Sequence, residues 1–123
     1  MRIAIPMHSG RIAPVFDTAI SLLLVDVETG EVVSRREAML TETGAMRRTQ
    51  SLRDLGVRVL ICGAVSRELS TAVQAAGIAI LPWTAGPVDE VLIAFLAQQL
   101  PGPRWRMPGC TEDRAPGASG PRG

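Results

Sequence analysis

Residues 56–96, GVRVLICGAVSRELSTAVQAAGIAILPWTAGPVDEVLIAFL, alternate short aliphatic runs with longer segments of helical period. Residues 57–62 (VRVLIC) read as a buried strand by their β-branched run. Gly63-Ala64-Val65 then turns the chain into a helix, with Ser66 as N-cap and Glu68 in the first turn. Leu69, Ala72, Val73 and Ala76 give that helix its inner stripe, and Gly77 stops it. Residues 78–81 are a second strand, ended by Pro82. Pro87 suits the first position of another helix, where Val88, Val91, Leu92, Phe95 and Leu96 form an apolar stripe. Strands and helices in strict alternation demand a parallel sheet with right-handed crossovers.

Upstream, Ala45, Thr49, Leu52 and Leu55 recur at helical spacing, with Gly56 as the C-terminal stop. Residues 21–27 (SLLLVDV) form a compact strand, a turn at Gly30 follows, and residues 31–39 (EVVSRREAM) return. That returning strand is polar and arginine-rich, which places it at an exposed edge. The chain opens on a strand of Ile3, Ala4 and Ile5 that runs into Pro6. The order βββαβαβα predicts an α/β, ribonuclease-H-like, three-layer fold. It has a five-stranded mixed sheet, strands one to three antiparallel and strands one, four and five parallel, with three helices. Residues 1–100 make this domain. Residues 101–123 hold five of the nine prolines and no apolar period, so they are expected to be a largely disordered tail.

A chain of 123 residues is enough for one domain with a real core. The net charge of +1 gives no electrostatic case for nucleic acid, and the scarcity of aromatics argues against base stacking. No apolar run approaches the ~20 residues of a membrane span, and no leader pattern opens the chain, so the cytoplasm is expected. Two cysteines, Cys62 and Cys110, do not make a disulfide framework.

In an open α/β sheet, ligands bind beyond the carboxyl ends of the strands. The segment His8-Ser9-Gly10-Arg11 leaves the sheet there. His8, the sole imidazole, is either an iron or cluster ligand or an exposed loop residue. Cys62 is either a ligand beside it or a buried small hydrophobe, and Cys110 a thiolate that folds back or one without a role. Arg11 suits an anion or a pair with Asp17, while Asp17 also suits a turn cap. Amides at Ala64-Val65-Ser66 offer an anion position on the same rim, and Trp83 and Gly86 either wall the pocket or pack. Nuclease chemistry is excluded: it needs several carboxylates at the strand ends, and Asp26 stands alone. Neither a Ser/His/Asp arrangement nor a phosphate-cradling glycine motif occurs.

The segments GRIAPVFD, LLLVDVETGEV, GVRVLICGAVS, AAGIAILPW and GPVDEVLIAFL, in this order and spacing, resemble the dinitrogenase iron-molybdenum cofactor biosynthesis family. Its members are small domains like NifX and the C-terminal part of NifB. The resemblance spans residues 1–100, and MPGC at residues 107–110 is similar to the tail of one branch. It implies a ribonuclease-H-like fold and, for nitrogen-fixing members, binding or carriage of iron-sulfur precursors and finished cofactor. Such members often carry His-Phe-Gly where this chain has His8-Ser9-Gly10. The resemblance thus implies a non-enzymatic carrier that transiently holds an iron-sulfur or iron-molybdenum cofactor and keeps none permanently. The expected contacts are His8, Gly10, Arg11, Gly63 and Trp83, the expected metal ligands His8, Cys62 and Cys110, with no catalytic residue. Cofactor-assembly proteins are the expected partners, in a monomer or homodimer that binds neither nucleic acid nor membrane. The alternative is a metal-free interaction module that dimerises through the third helix or the edge strand.

Overall fold

A computed structural model describes residues 1–100 and 102–107. Its strands are β1 (Arg2–His8), β2 (Arg11–Ile12), β3 (Ser21–Glu28), β4 (Glu31–Met39), β5 (Val59–Ile61) and β6 (Ala79–Leu81). The helices are α1 (Ala45–Asp54), α2 (Arg67–Ala75) and α3 (Val88–Leu96). The fold is α/β with a mixed sheet in the order β4-β3-β1-β5-β6, and β2 pairs with β1 off this path. β1, β3 and β4 are antiparallel neighbours, whereas β5 lies parallel to β1 and β6 parallel to β5. Six strands stand where five were expected. The addition is β2, two residues long, formed within the segment expected to be the His8 loop.

Side-chain alternation sorts the core onto two faces. Ala4, Leu22, Leu24 and Leu60 point to one, where Leu52 of α1 and Leu69 and Val73 of α2 pack. Ile3, Ile5, Leu23, Val25 and Ile61 point to the other, against Val88, Val91 and Leu92 of α3. β4 is exposed along nearly its whole length, as its arginines and glutamates require of an edge strand. Ser66 caps α2, its hydroxyl accepting from the Leu69 amide at 3.2 Å. No described helix is long and apolar enough to cross a membrane.

The segment expected to start a tail is packed where the structure describes it. Trp105 is buried in the α3-side cluster, and residues 102–107 run back over the β6–α3 connection. The Ala85 amide donates to the Trp105 carbonyl at 2.7 Å, and the Met107 amide to the Trp83 carbonyl at 3.0 Å. The rest of that segment, with Cys110, lies outside the described residues.

At the opposite end of the sheet Arg2 binds Asp26 through two nitrogens, at 2.7 and 3.2 Å, and donates to the Leu55 carbonyl at 2.7 Å. Arg2, with a hydrogen bond from Ser34, pulls the Asp26 carboxyl down to about 2 from its ordinary 3.8. A carboxylate depressed on folding stabilises the fold above its unfolded pKa and loses that contribution as pH falls through the folded one. Urea unfolding of wild type and Asp26→Asn should therefore differ most above pH 4, the gap closing between pH 4 and 2. A gap that stays constant over that range contradicts the assignment.

Candidate functional site

The rim is built by a break in the sheet. β1 pairs with β5 only at Ile3–Val59 and Ala4–Leu60. Two residues on, Pro6 has no N–H to offer a neighbour. The two strands part there, and the chain's own residues 13–16 enter the gap. The Ala13 amide donates to the Pro6 carbonyl at 2.9 Å on one side. On the other, the Ala64 amide donates to Pro14 at 2.9 Å and the Phe16 amide to Ala64 at 2.8 Å. The crevice between the ends of β1 and β5, expected to receive a ligand, is filled by backbone.

This corrects the role expected of Gly63. A Cβ on Gly63 would lie 2.7 Å from the carbonyl oxygens of both Ala13 and Pro14. Glycine is needed because backbone lies against backbone, and the residue is buried beneath it. The anion position at the start of α2 is likewise taken, since the Ser66 amide donates to the Asp17 carboxylate at 2.8 Å. Asp17 thus serves as a cap of α2 rather than as the partner of Arg11.

Cys62 is fully buried in the cluster with Phe16, Val65 and Leu69. Burial pushes its thiol far above the ordinary range, and the Asp17 carboxylate adds to the push. A thiol held protonated is no metal ligand, so Cys62 is a core residue. Among the described residues no group of three His, Cys, Asp or Glu side chains converges. The ligand set of His8, Cys62 and Cys110 is therefore not assembled there, and Cys110 lies outside the described residues. Trp83 sits beyond β6 with φ 61°, its amide donating to Gly63 at 2.9 Å. It does not line the groove that His8 lines.

What remains open lies on the other side of the inserted segment. A groove of about 340 Å³ runs between the end of β1 and the start of β3. Met7, His8, Ala13–Val15 and Thr18–Ser21 line it. His8 closes β1 and pairs with Arg11 across the two-residue turn Ser9-Gly10. Both turn residues have positive φ, 53° and 77°, the geometry that matches strand twist in a tight hairpin. Directly opposed side chains in such a ladder lie on the same side, so imidazole and guanidinium are neighbours. Both are exposed, and nothing stands within 4 Å of where a Gly10 Cβ would be. The hairpin is anchored from behind by the Val88 amide to Gly10 at 2.9 Å and the Ile12 amide to Gly86 at 3.0 Å. Of the expected contacts, the structure brings His8, Gly10 and Arg11 together.

Arg48 escaped the sequence reading. It lies on α1 and is 3% exposed. One terminal nitrogen donates to the carbonyls of Phe16 (2.7 Å) and Ala19 (2.6 Å). The other donates to Glu42 (2.8 Å) and Leu40 (3.5 Å). The guanidinium carbon stands 5.0 Å from the centre of the Phe16 ring, a cation–π distance. Burial lowers its pKa, while Asp17 and Glu42, acting through space, raise it. The signal was present: position 48 falls three residues after Ala45 and four before Leu52, on the inner stripe.

Comparison with known proteins adds the following. The family model "Dinitrogenase iron-molybdenum cofactor" matches residues 1–98. The apo form of the orange protein from Desulfovibrio gigas superposes with a TM-score of 0.70 at 26% identity, over 85% of this chain and 94% of that one. A Thermotoga protein provisionally named NifB gives 0.61 at 27% identity, over 80% and 89%. A provisionally named dinitrogenase of Methanocaldococcus jannaschii gives 0.65 at 22% identity, over 80% and 90%, a likeness of fold alone. No curated protein matches significantly.

Proposed function

This chain belongs to the dinitrogenase iron-molybdenum cofactor family, and from that premise we propose that it is a non-enzymatic carrier of a metal–sulfur cofactor or its precursor. The β1–β3 groove is the seat, and the observation that carries the reading is His8 on its lining with Arg11 as its neighbour across the hairpin. The imidazole offers one ligand nitrogen to an exposed metal of a preassembled unit. The guanidinium offers its planar fork to the negative charge of sulfides. Among the described residues no three His, Cys, Asp or Glu side chains converge, and a lone imidazole suits cargo that arrives with most of its own ligands. It suits release equally, because a single protein bond is replaced easily. The Desulfovibrio protein, described in an apo form, supports a ligand-holding role for this fold at 26% identity.

Tetrathiomolybdate, the simplest molybdenum–sulfur dianion, serves as the probe in an oxygen-free titration followed by its charge-transfer absorbance. The wild-type protein should perturb that absorbance saturably. His8→Ala should bind at least about 10–100-fold more weakly, since even outer partners of a metal ligand contribute that much. No saturable change, or a His8→Ala curve that overlays wild type, overturns the reading.

A further inference from the structure

We infer that Arg48, which reaches no part of the groove surface itself, shapes the groove for an anion by clamping its wall and offsetting the nearby Asp17 and Glu42 carboxylates. The inference rests on the carrier reading above and deepens it, adding a positioning residue.

Two observations meet at Arg48. The first is geometric. The groove is lined by Thr18, Ala19 and Ile20; the Leu40 amide holds this stretch at the Ile20 carbonyl (2.8 Å), while Thr18 and Ala19 lie outside any strand, at and just after the 3-10 turn Phe16–Thr18. The carbonyls at the two ends of that turn, Phe16 and Ala19, both accept from one nitrogen of Arg48. The second nitrogen holds Leu40 and Glu42, just past the end of β4. One side chain therefore ties the groove wall to the edge of the sheet and to α1. A lysine ammonium, with three donors on a point, lacks the planar fork that satisfies four carbonyls in two directions.

The second observation is electrostatic. Arg48 is almost wholly buried, and among the described residues no carboxylate lies within ion-pair distance of it. Its near carboxylates, Asp17 and Glu42, accept from the Ser66 amide (2.8 Å) and the Ser51 hydroxyl (2.9 Å), keep their charge, and act on Arg48 only through space. The partners of Arg48 are neutral carbonyls, and its Nε is buried without one. A buried charge met at contact only by dipoles is costly to keep. That charge offsets the Asp17 and Glu42 carboxylates across protein rather than salt water, where screening is weak. Without Arg48 a dianion in the groove would face the Asp17 and Glu42 carboxylates uncompensated, whereas a neutral ligand would be indifferent to them.

The test uses the full chain, tetrathiomolybdate as probe, and two variants whose folding is first checked by circular dichroism and urea unfolding. Arg48→Gln removes the charge and keeps two donors for the carbonyls; Arg48→Lys keeps the charge and loses the fork. Arg48→Gln should bind about 10–100-fold more weakly than wild type, and its dissociation constant should vary less steeply with salt. Arg48→Lys should retain the wild-type salt dependence while losing about tenfold in affinity. A purely structural role predicts equal losses and unchanged salt slopes in both, which overturns the charge assignment. Either folded variant binding within twofold of wild type overturns the clamp. Should Arg48→Gln fail to fold, Arg48→Lys decides by the same two readouts. Wild type that does not bind removes the carrier reading and this inference together. Binding that depends on His8 but not on position 48 removes this inference alone.

Discussion

Gly63→Ala is expected to destabilise the protein by about 3 kcal/mol or more, at the upper end of what an over-packed site costs. The added methyl would stand 2.7 Å from two carbonyl oxygens, Ala13 and Pro14, and neither belongs to a flexible side chain. Relief requires moving residues 13–16 out of the gap beside β5. Those residues are held on both sides: Ala13 by the Pro6 carbonyl, Pro14 and Phe16 by Ala64. Displacing them strips several buried backbone hydrogen bonds at once, each expensive to leave unmade. For a domain of this size the loss corresponds to a fall in Tm of roughly 10–20 °C. Thermal and urea unfolding measure it directly. A variant melting within a few degrees of wild type would show that the inserted segment is not wedged there. Because this segment also lines the groove through Ala13, Pro14 and Val15, a folded Gly63→Ala protein should lose ligand affinity with its stability.

Trp105→Ala should cost about 3–5 kcal/mol, the range for deleting a large buried aromatic. Trp105 is 9% exposed and packs with Val88, Val91 and Leu92 of α3. Its ring also fills the space over Gly86, where a Cβ would meet it at 3.1 Å. Gly86 has φ 138° and its carbonyl accepts from Ile12, so the ring braces the connection that anchors the β1–β2 hairpin from behind. The substitution should thus lower Tm and loosen the His8 hairpin, seen as faster hydrogen exchange at the Ile12 and Val88 amides. If Trp105→Ala unfolds like wild type, residues 102–107 are not part of the packed unit.

These two positions mark the limits of reading the chain unaided. Glycine after a strand is a turn signal, and Gly63 does sit where the chain turns. That it also admits a distant segment depends on Pro6, whose missing N–H opens the sheet between β1 and β5 some 57 residues away in sequence. Trp105 stands among prolines and glycines with no periodic neighbours, so no amphipathic pattern could announce it as core. Its burial comes from a lone side chain finding the open flank of α3.

The order of the helices and of every strand but β2, the exposed edge at β4, the Ser66 cap and the layering of helices on the sheet were legible from residue spacing. Such features arise between residues a few positions apart, where period and capping chemistry act directly. The candidate site was legible only in part. The segment that carries His8, Gly10 and Arg11 was legible as a loop at the end of β1, but the two-residue strand that makes it a hairpin was not. Which crevice stays open, why Cys62 is enclosed, why Asp17 occupies the start of α2 and where Arg48 sends its charge were decided by tertiary packing. Each of these sets groups from remote parts of the chain against one another. Their outcome rests on which buried polar group finds a partner, and no periodicity encodes that.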